Sequence, residues 1–164
     1  MIDCEWLPPL VPYAGDEWKI YENTLYEIFK EDFIASPPSY ENNKVAIRKH
    51  PMFQEKEEAF FHITCQDYQK DGERVPDLRR CERIRWAKTF IENTKCNKGC
   101  FKCGGLKIWD KPHKSTVRTH ILFEEQRYIV VLEKRIEYTL LITAFYLDYD
   151  HALRKKLKEY EKYK

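Results

Sequence analysis

The chain reads as an α+β domain. N-terminal helices pack on an antiparallel β-sheet of about four strands, with a C-terminal helix and a Cys-rich insertion. Three observations lead there. Apolar residues recur at helical spacing through much of the first 93 positions. Ile-, Val-, Leu- and Tyr-rich runs then follow one another closely between 120 and 146. Helical spacing returns from 150 onward. Helices, then strands, then a helix is the order of an α+β layout. At 164 residues the chain fits one domain, 1–164.

Residues 1–15 form an irregular arm with Pro8, Pro9 and Pro12. A helix is predicted over 16–33, capped by Asp16, with Trp18, Tyr21, Leu25, Ile28 and Phe29 at spacings of three and four. Ser36-Pro37-Pro38 ends it, 39–43 reads as loop and 44–48 as a short strand. After the break at His50-Pro51, 55–66 is predicted helical, with Ala59, Phe60 and Ile63 facing inward. The block 69–75 contains Asp71-Gly72 and reads as a turn. The clearest helix spans 77–93, with Leu78, Cys81, Ile84, Ala87 and Ile91 on its apolar side. Arg79, Arg83, Trp86 and Phe90 fall on another stripe of it, at i, i+4, i+7 and i+11. Residues 94–116 form the Cys-rich insertion and 117–148 the β-meander, with strands at 120–124, 128–133 and 138–146. Asp150 caps a last helix with Leu153, Leu157 and Tyr160 inward.

Composition narrows function less. Lys+Arg is 29 against 27 for Asp+Glu, a net charge of +2 that does not by itself mark a nucleic-acid binder. The most apolar run, 138–147, is about half the ~20 residues that span a bilayer, so no membrane partner is expected. The acidic, Pro-rich start lacks the pattern of a secretory signal, which points to the cytoplasm. There, six cysteines read as thiols or metal ligands before disulfides. Cys96, Cys100 and Cys103 put three thiols in eight residues, with glycines that permit tight turns. A structural zinc would need a fourth ligand, from His113, His120, Cys81 or Cys65, of which His113 is preferred. Unligated thiols are the plain alternative. The insertion's lysines, with Phe101 and Trp109, would offer phosphate contacts and stacking surfaces to RNA.

Four segments carry a resemblance: F-F-H-I-T (60–64), R-V-P-D-L-R-R-C-E-R-I-R-W (74–86), I-L-F-E-E-Q-R-Y-I-V-V-L-E-K-R (121–135) and Y-T-L-L-I-T-A-F-Y (138–146). Together they resemble the phage- and bacterium-encoded RNases grouped with barnase, EndoU, the colicin-type tRNA nucleases and RelE. The resemblance implies helices on a four-stranded antiparallel sheet and metal-independent cleavage through the ribose 2′-OH. It maps the catalytic positions onto His62, Arg83, Arg85, Thr143 and Tyr146. Arg79, Arg80, Trp86 and Arg135 would hold substrate, with Glu133 in reserve. RNA is then the expected partner. For a toxin, so is an antitoxin or immunity protein whose acidic surface complements the arginine stripe.

These residue types suit the chemistry. Histidine titrates near neutral pH and serves as base or acid. Arginine forks onto phosphate oxygens without losing its proton. Hydroxyls of Thr and Tyr donate without adding charge. Each also has a plain structural reading: a hydrogen-bonded core histidine, a solvated arginine face, β-branched packing and strand-end filler. Residues 143 and 146 point to opposite faces of a regular strand, so both join one site only if the strand bulges or ends near Phe145. A non-catalytic, zinc-stabilised module that binds nucleic acid or protein is the rival reading, and a structural interaction protein is a third.

Overall fold

The computed structural model describes residues 4–15, 17–66, 74–96 and 104–164. The Asp16 cap, most of the 69–75 turn, Phe101, Cys100 and Cys103 lie outside them. Helix α1 (Trp18–Lys30) runs on into one π-helical turn (Glu31–Ala35), closed by Ser36 N–H donating to the Glu31 carbonyl. Strands β1 (Ser39–Tyr40) and β2 (Asn43–Ile47) follow as a small hairpin. Then come the short helices α2 (Glu58–Thr64), α3 (Leu78–Glu82) and α4 (Trp86–Glu92). Strands β3 (Lys107–His113), β4 (Thr116–Phe123), β5 (Tyr128–Lys134) and β6 (Thr139–Tyr146) lead to helix α5 (Asp150–Tyr163).

The sheet has six strands, ordered β1-β2-β6-β5-β4-β3, and is mixed, so the expected four-stranded antiparallel sheet is too small. The β3–β6 meander is antiparallel throughout. Two additions enlarge it. In the supposed 39–43 loop, Glu41 and Asn42 adopt positive φ and turn β1 into β2, as a two-residue hairpin requires. Strand β2 then buries Val45 and lies parallel to the first three residues of β6. At the other edge, 107–113 of the supposed insertion pairs residue for residue with β4. Pro112 is tolerated there because β3 is an edge strand.

The 77–93 helix is broken. Asp77 caps α3, its Oδ1 accepting from Arg79 N–H at 2.9 Å. The N-terminal arm then intervenes. Val11 N–H donates to the Glu82 carbonyl, which a continuous helix would use for residue 86. Trp86 N–H falls back to Arg83, and α4 starts on a new axis. Leu78, expected inside, is 43% exposed. The arm is irregular but seated: Pro8 accepts from the Trp86 indole at 2.9 Å and Val11 from the Tyr21 hydroxyl at 2.7 Å.

Two apolar layers sandwich the sheet. One, under α1–α4, holds Phe29, Phe60, Phe90, Phe123, Tyr128 and Leu132. The other, under α5, holds Trp109, Leu122, Ile129, Val131, Leu147 and Tyr160. Trp109, expected to stack on RNA, is 2% exposed in this second layer. Asp150 does not cap α5; it pairs with Arg127 at 3.0 Å. No helix among the described residues is long and apolar enough to cross a membrane.

Candidate active site

Helix α2 packs along β6 and carries Glu58 and His62 one turn apart, so the two side chains meet. His62 Nε2 lies 3.1 Å from Glu58 Oε1, and Arg74 holds the other carboxylate oxygen. The carboxylate is buried, while 33% of the imidazole stays exposed. Burial depresses the His62 pKa and Arg48 and Arg74 depress it further, with Glu58 opposing. The ring is therefore neutral near pH 7. Its proton belongs on Nε2, against the carboxylate, which leaves Nδ1 as the basic nitrogen. A base oriented by an acid is the usual form of a general-base pair. Nothing short-range in the sequence marked Glu58 beyond its i, i+4 spacing to His62.

The chain leaving α2 is laced to the chain entering α3. Gln66 N–H donates to the Val75 carbonyl and Asp77 N–H to the Thr64 carbonyl, both at 2.9 Å. This fixes His62 against the arginines. Arg80 donates through Nη1 to the carbonyls of Cys65 (2.6 Å) and His62 (3.3 Å) and lies over the Phe145 ring. It braces the end of α2. Thr143 does likewise, its hydroxyl donating to the His62 carbonyl at 2.9 Å. That proton is committed, so Thr143 positions the helix that bears the base.

Arg79 and Arg83 share one ring. Their guanidiniums sit 5.0 and 4.5 Å from the centre of Tyr146. Arg83 is 8% exposed, donates to the Arg79 carbonyl at 3.0 Å, and covers Trp86 at 5.1 Å. Trp86 is a correction to the expected substrate contact. It is 4% exposed, packs on Phe90 and Tyr128, and spends its indole N–H on Pro8. Beneath this stack the buried Arg83 Nε and Tyr128 hydroxyl have no hydrogen-bond partner among the described residues, and Arg80 Nε faces the Asp77 carboxylate at 3.5 Å. Burial lowers the Arg83 pKa.

Strand β6 does bulge, but ahead of Thr143. Val131 pairs with Thr143 and Leu132 with Leu141, which leaves Ile142 unpaired on β5. Thr143 and Tyr146 thus keep opposite faces. Both still serve one neighbourhood, because β2 stops at Leu141 and α2 covers the freed edge. Other expected residues go elsewhere. Arg85 is exposed and lines a separate cleft with Asp32. Arg135 pairs with Glu133 at 3.1 Å where β5 turns into β6, roughly 20 Å of strand from Tyr146. Cys96 accepts from Leu106 N–H at the start of β3, whereas His113 ends that strand, again roughly 20 Å away. The structure does not bring His113 to Cys96. Among the described residues no group of three His, Cys, Asp or Glu is arranged to hold a metal.

A second histidine–carboxylate pair lies under α5. His120 stacks on Trp109 with ring centres 5.0 Å apart, and its Nε2 is 3.5 Å from Glu159. Glu159 also accepts from the Trp109 indole (3.0 Å) and Lys111 (3.0 Å) and faces Lys156 at 3.8 Å. Burial, then Lys156, pushes the His120 pKa down to about 4. Sequence reading missed Glu159, whose partners beyond its own helix come from β3 and β4.

Compared with protein-family models, with curated proteins and with solved structures, the chain gives no match.

Proposed function

We propose that this chain is a metal-independent endoribonuclease that cleaves RNA through the ribose 2′-OH. The observation that carries the reading is a partly exposed His62, oriented by buried Glu58, on the helix that precedes the Arg79 and Arg83 guanidiniums gathered over Tyr146. In this reading His62 Nδ1 removes the 2′-OH proton and the 2′-oxygen attacks phosphorus. The P–O5′ bond breaks, and the leaving 5′-oxygen takes a proton from the Tyr146 hydroxyl, which solvent then restores. Arg79 and Arg83 neutralise the charge gathering on the phosphoryl oxygens, the interaction that gains most in the transition state. Products are a 2′,3′-cyclic phosphate and a free 5′-OH.

The test is end-labelled RNA incubated with purified protein in EDTA. The reading predicts cleavage that persists and ends in cyclic phosphate, and that is lost in His62→Ala and Arg83→Ala at unchanged folding. RNA bound tightly but left intact would favour the non-catalytic binding module. If the nuclease acts as a toxin, expression arrests bacterial growth and His62→Ala relieves the arrest. A cognate acidic antitoxin or immunity protein would then cover Arg79. A structural zinc belongs to this proposal only as a fastener of the segment around Cys96, Cys100 and Cys103, to be read by elemental analysis.

A further inference from the structure

The N-terminal arm lies along the broken helix in step with its turns. Trp6 packs edge-on against Phe90 with ring centres 5.7 Å apart. The Pro8 carbonyl accepts from the Trp86 indole at 2.9 Å, and Val11 N–H donates to the Glu82 carbonyl at 2.8 Å. Residues 90, 86 and 82 are each about one helical turn apart, so the arm follows one face from α4 back across the break to α3. Tyr21 of α1 fastens it in turn, its hydroxyl donating to the Val11 carbonyl at 2.7 Å. In an unbroken helix the Glu82 carbonyl would accept from Trp86 N–H. Val11 takes that carbonyl instead, and Trp86 N–H closes a tighter turn on the Arg83 carbonyl at 2.9 Å. Residues 83–85 thus form the corner between α3, which rests on α2 and β6, and α4, which rests on β1 and β5. The corner fixes Arg83 twice. Its backbone leaves helical geometry there, at φ −102° and ψ 19°. Its guanidinium lies 5.1 Å from the Trp86 ring that Pro8 pins and 4.5 Å from Tyr146.

We propose that Val11 is a positioning residue for Arg83: its backbone N–H keeps 78–92 in two helices, and the corner so held places the Arg83 guanidinium over Tyr146. Without that bond the stretch has local reason to run straight. Arg79, Arg83, Trp86 and Phe90 fall on one helical stripe, and no Gly or Pro interrupts 78–93. A straight helix could not keep α3 on β6 and α4 on β5 together, so Arg83 would leave Tyr146. Misplacing a group that acts in the transition state by about 1 Å can cost on the order of 10²-fold in rate. The inference rests on the nuclease reading for what Arg83 does to RNA, and on the hydrogen bonds of the arm for the corner itself.

Val11→Pro removes the N–H, and Val11→Ala keeps it. In the full chain, Val11→Pro should move the Cα NMR resonances of Arg83, Ile84 and Arg85 toward helical values, whereas Val11→Ala should leave them in place. With labelled RNA in EDTA, Val11→Pro should lower kcat by about tenfold or more at nearly unchanged KM, because Arg83 acts in the transition state. Val11→Ala should cleave as wild type does. Added to Arg83→Ala, Val11→Pro should cost nothing further, since the side chain it places is already gone. Should Val11→Pro fail to fold, Tyr21→Phe loosens the same residue through its carbonyl and should give a smaller loss of kcat; an unchanged rate in that variant counts against the proposal. Unmoved resonances, a Val11→Pro rate equal to wild type, or a loss that adds in full to that of Arg83→Ala overturns it. Folded wild-type protein that leaves RNA intact sinks the nuclease reading alone, because the resonances still test the corner. Moved resonances with an unchanged rate sink the positioning role and spare the nuclease.

Discussion

The two histidine–glutamate pairs of this chain use the same side chains for opposite ends. His62 and Glu58 sit on one helix, with the acid buried and the ring reaching solvent. His120 and Glu159 come from a strand and a distant helix, and both are sealed. Glu159 gathers the Trp109 indole, two lysines and His120, so its charge is met on every side and α5 is fastened to the sheet. Glu58 meets Arg74 and His62 and leaves the imidazole open. The pair made for holding is sealed, its imidazole 7% exposed. The pair made for proton transfer keeps a third of its imidazole within reach of solvent.

Substitutions sharpen this contrast. The largest effect belongs to His62→Ala, which should lower RNA cleavage by about 10²–10⁴-fold in a gel assay while the melting temperature barely moves. If cleavage survives, the pairs do not differ in the way described. Next comes Glu58→Gln, which should cost roughly tenfold in rate. Because Glu58 is the group that holds the His62 pKa up, its loss should also move the acid limb of the rate profile to lower pH. Glu159→Ala should behave in the opposite manner. It leaves rate at permissive temperature intact but costs about 1–3 kcal/mol by stranding buried donors. At ~2–4 °C per kcal/mol for a chain of this size, calorimetry resolves that loss.

Smaller effects follow. An unfolded His120 takes up its proton near pH 6.5, and the folded ring only near 4. Its contribution to stability is therefore complete above 6.5 and is lost on acidification through that interval, at up to about 1.4 kcal/mol per pH unit. Urea unfolding of wild type should show this slope, and His120→Phe should flatten it. Thr143→Val removes one tie between β6 and α2 and should cost about 1 kcal/mol by the same measurement.

Much of the α5 side was legible in the sequence. Leu153, Leu157 and Tyr160 at helical spacing and the Ile/Val runs of β4–β6 speak through local periodicity, and all reach the second layer or the sheet as expected. The site was legible as residue types rather than as geometry. The stripe Arg79–Arg83–Trp86 assumes an unbroken helix. The break depends on Val11, seventy-one positions upstream of Glu82, and no local pattern announces a hydrogen bond of that reach. For the same reason Arg83 and Arg85 part ways, one toward Tyr146 and one toward Asp32. Strand β3 hid because lysines and Pro112 make an edge strand resemble a loop, while only Trp109 of it is fully buried and Ile108 packs half-buried on the opposite layer. Glu58 and Glu159 are acids in a chain rich in acids, and burial alone sets them apart.

The pH dependence of RNA cleavage by wild-type protein in EDTA probes the His62 assignment most directly. If the desolvated ring beside Arg48 and Arg74 is the base, activity rises with a single acid limb centred below pH 6.5 and holds a plateau through neutrality. A limb above that value, a rate indifferent to pH, or RNA left whole at every pH would contradict the account.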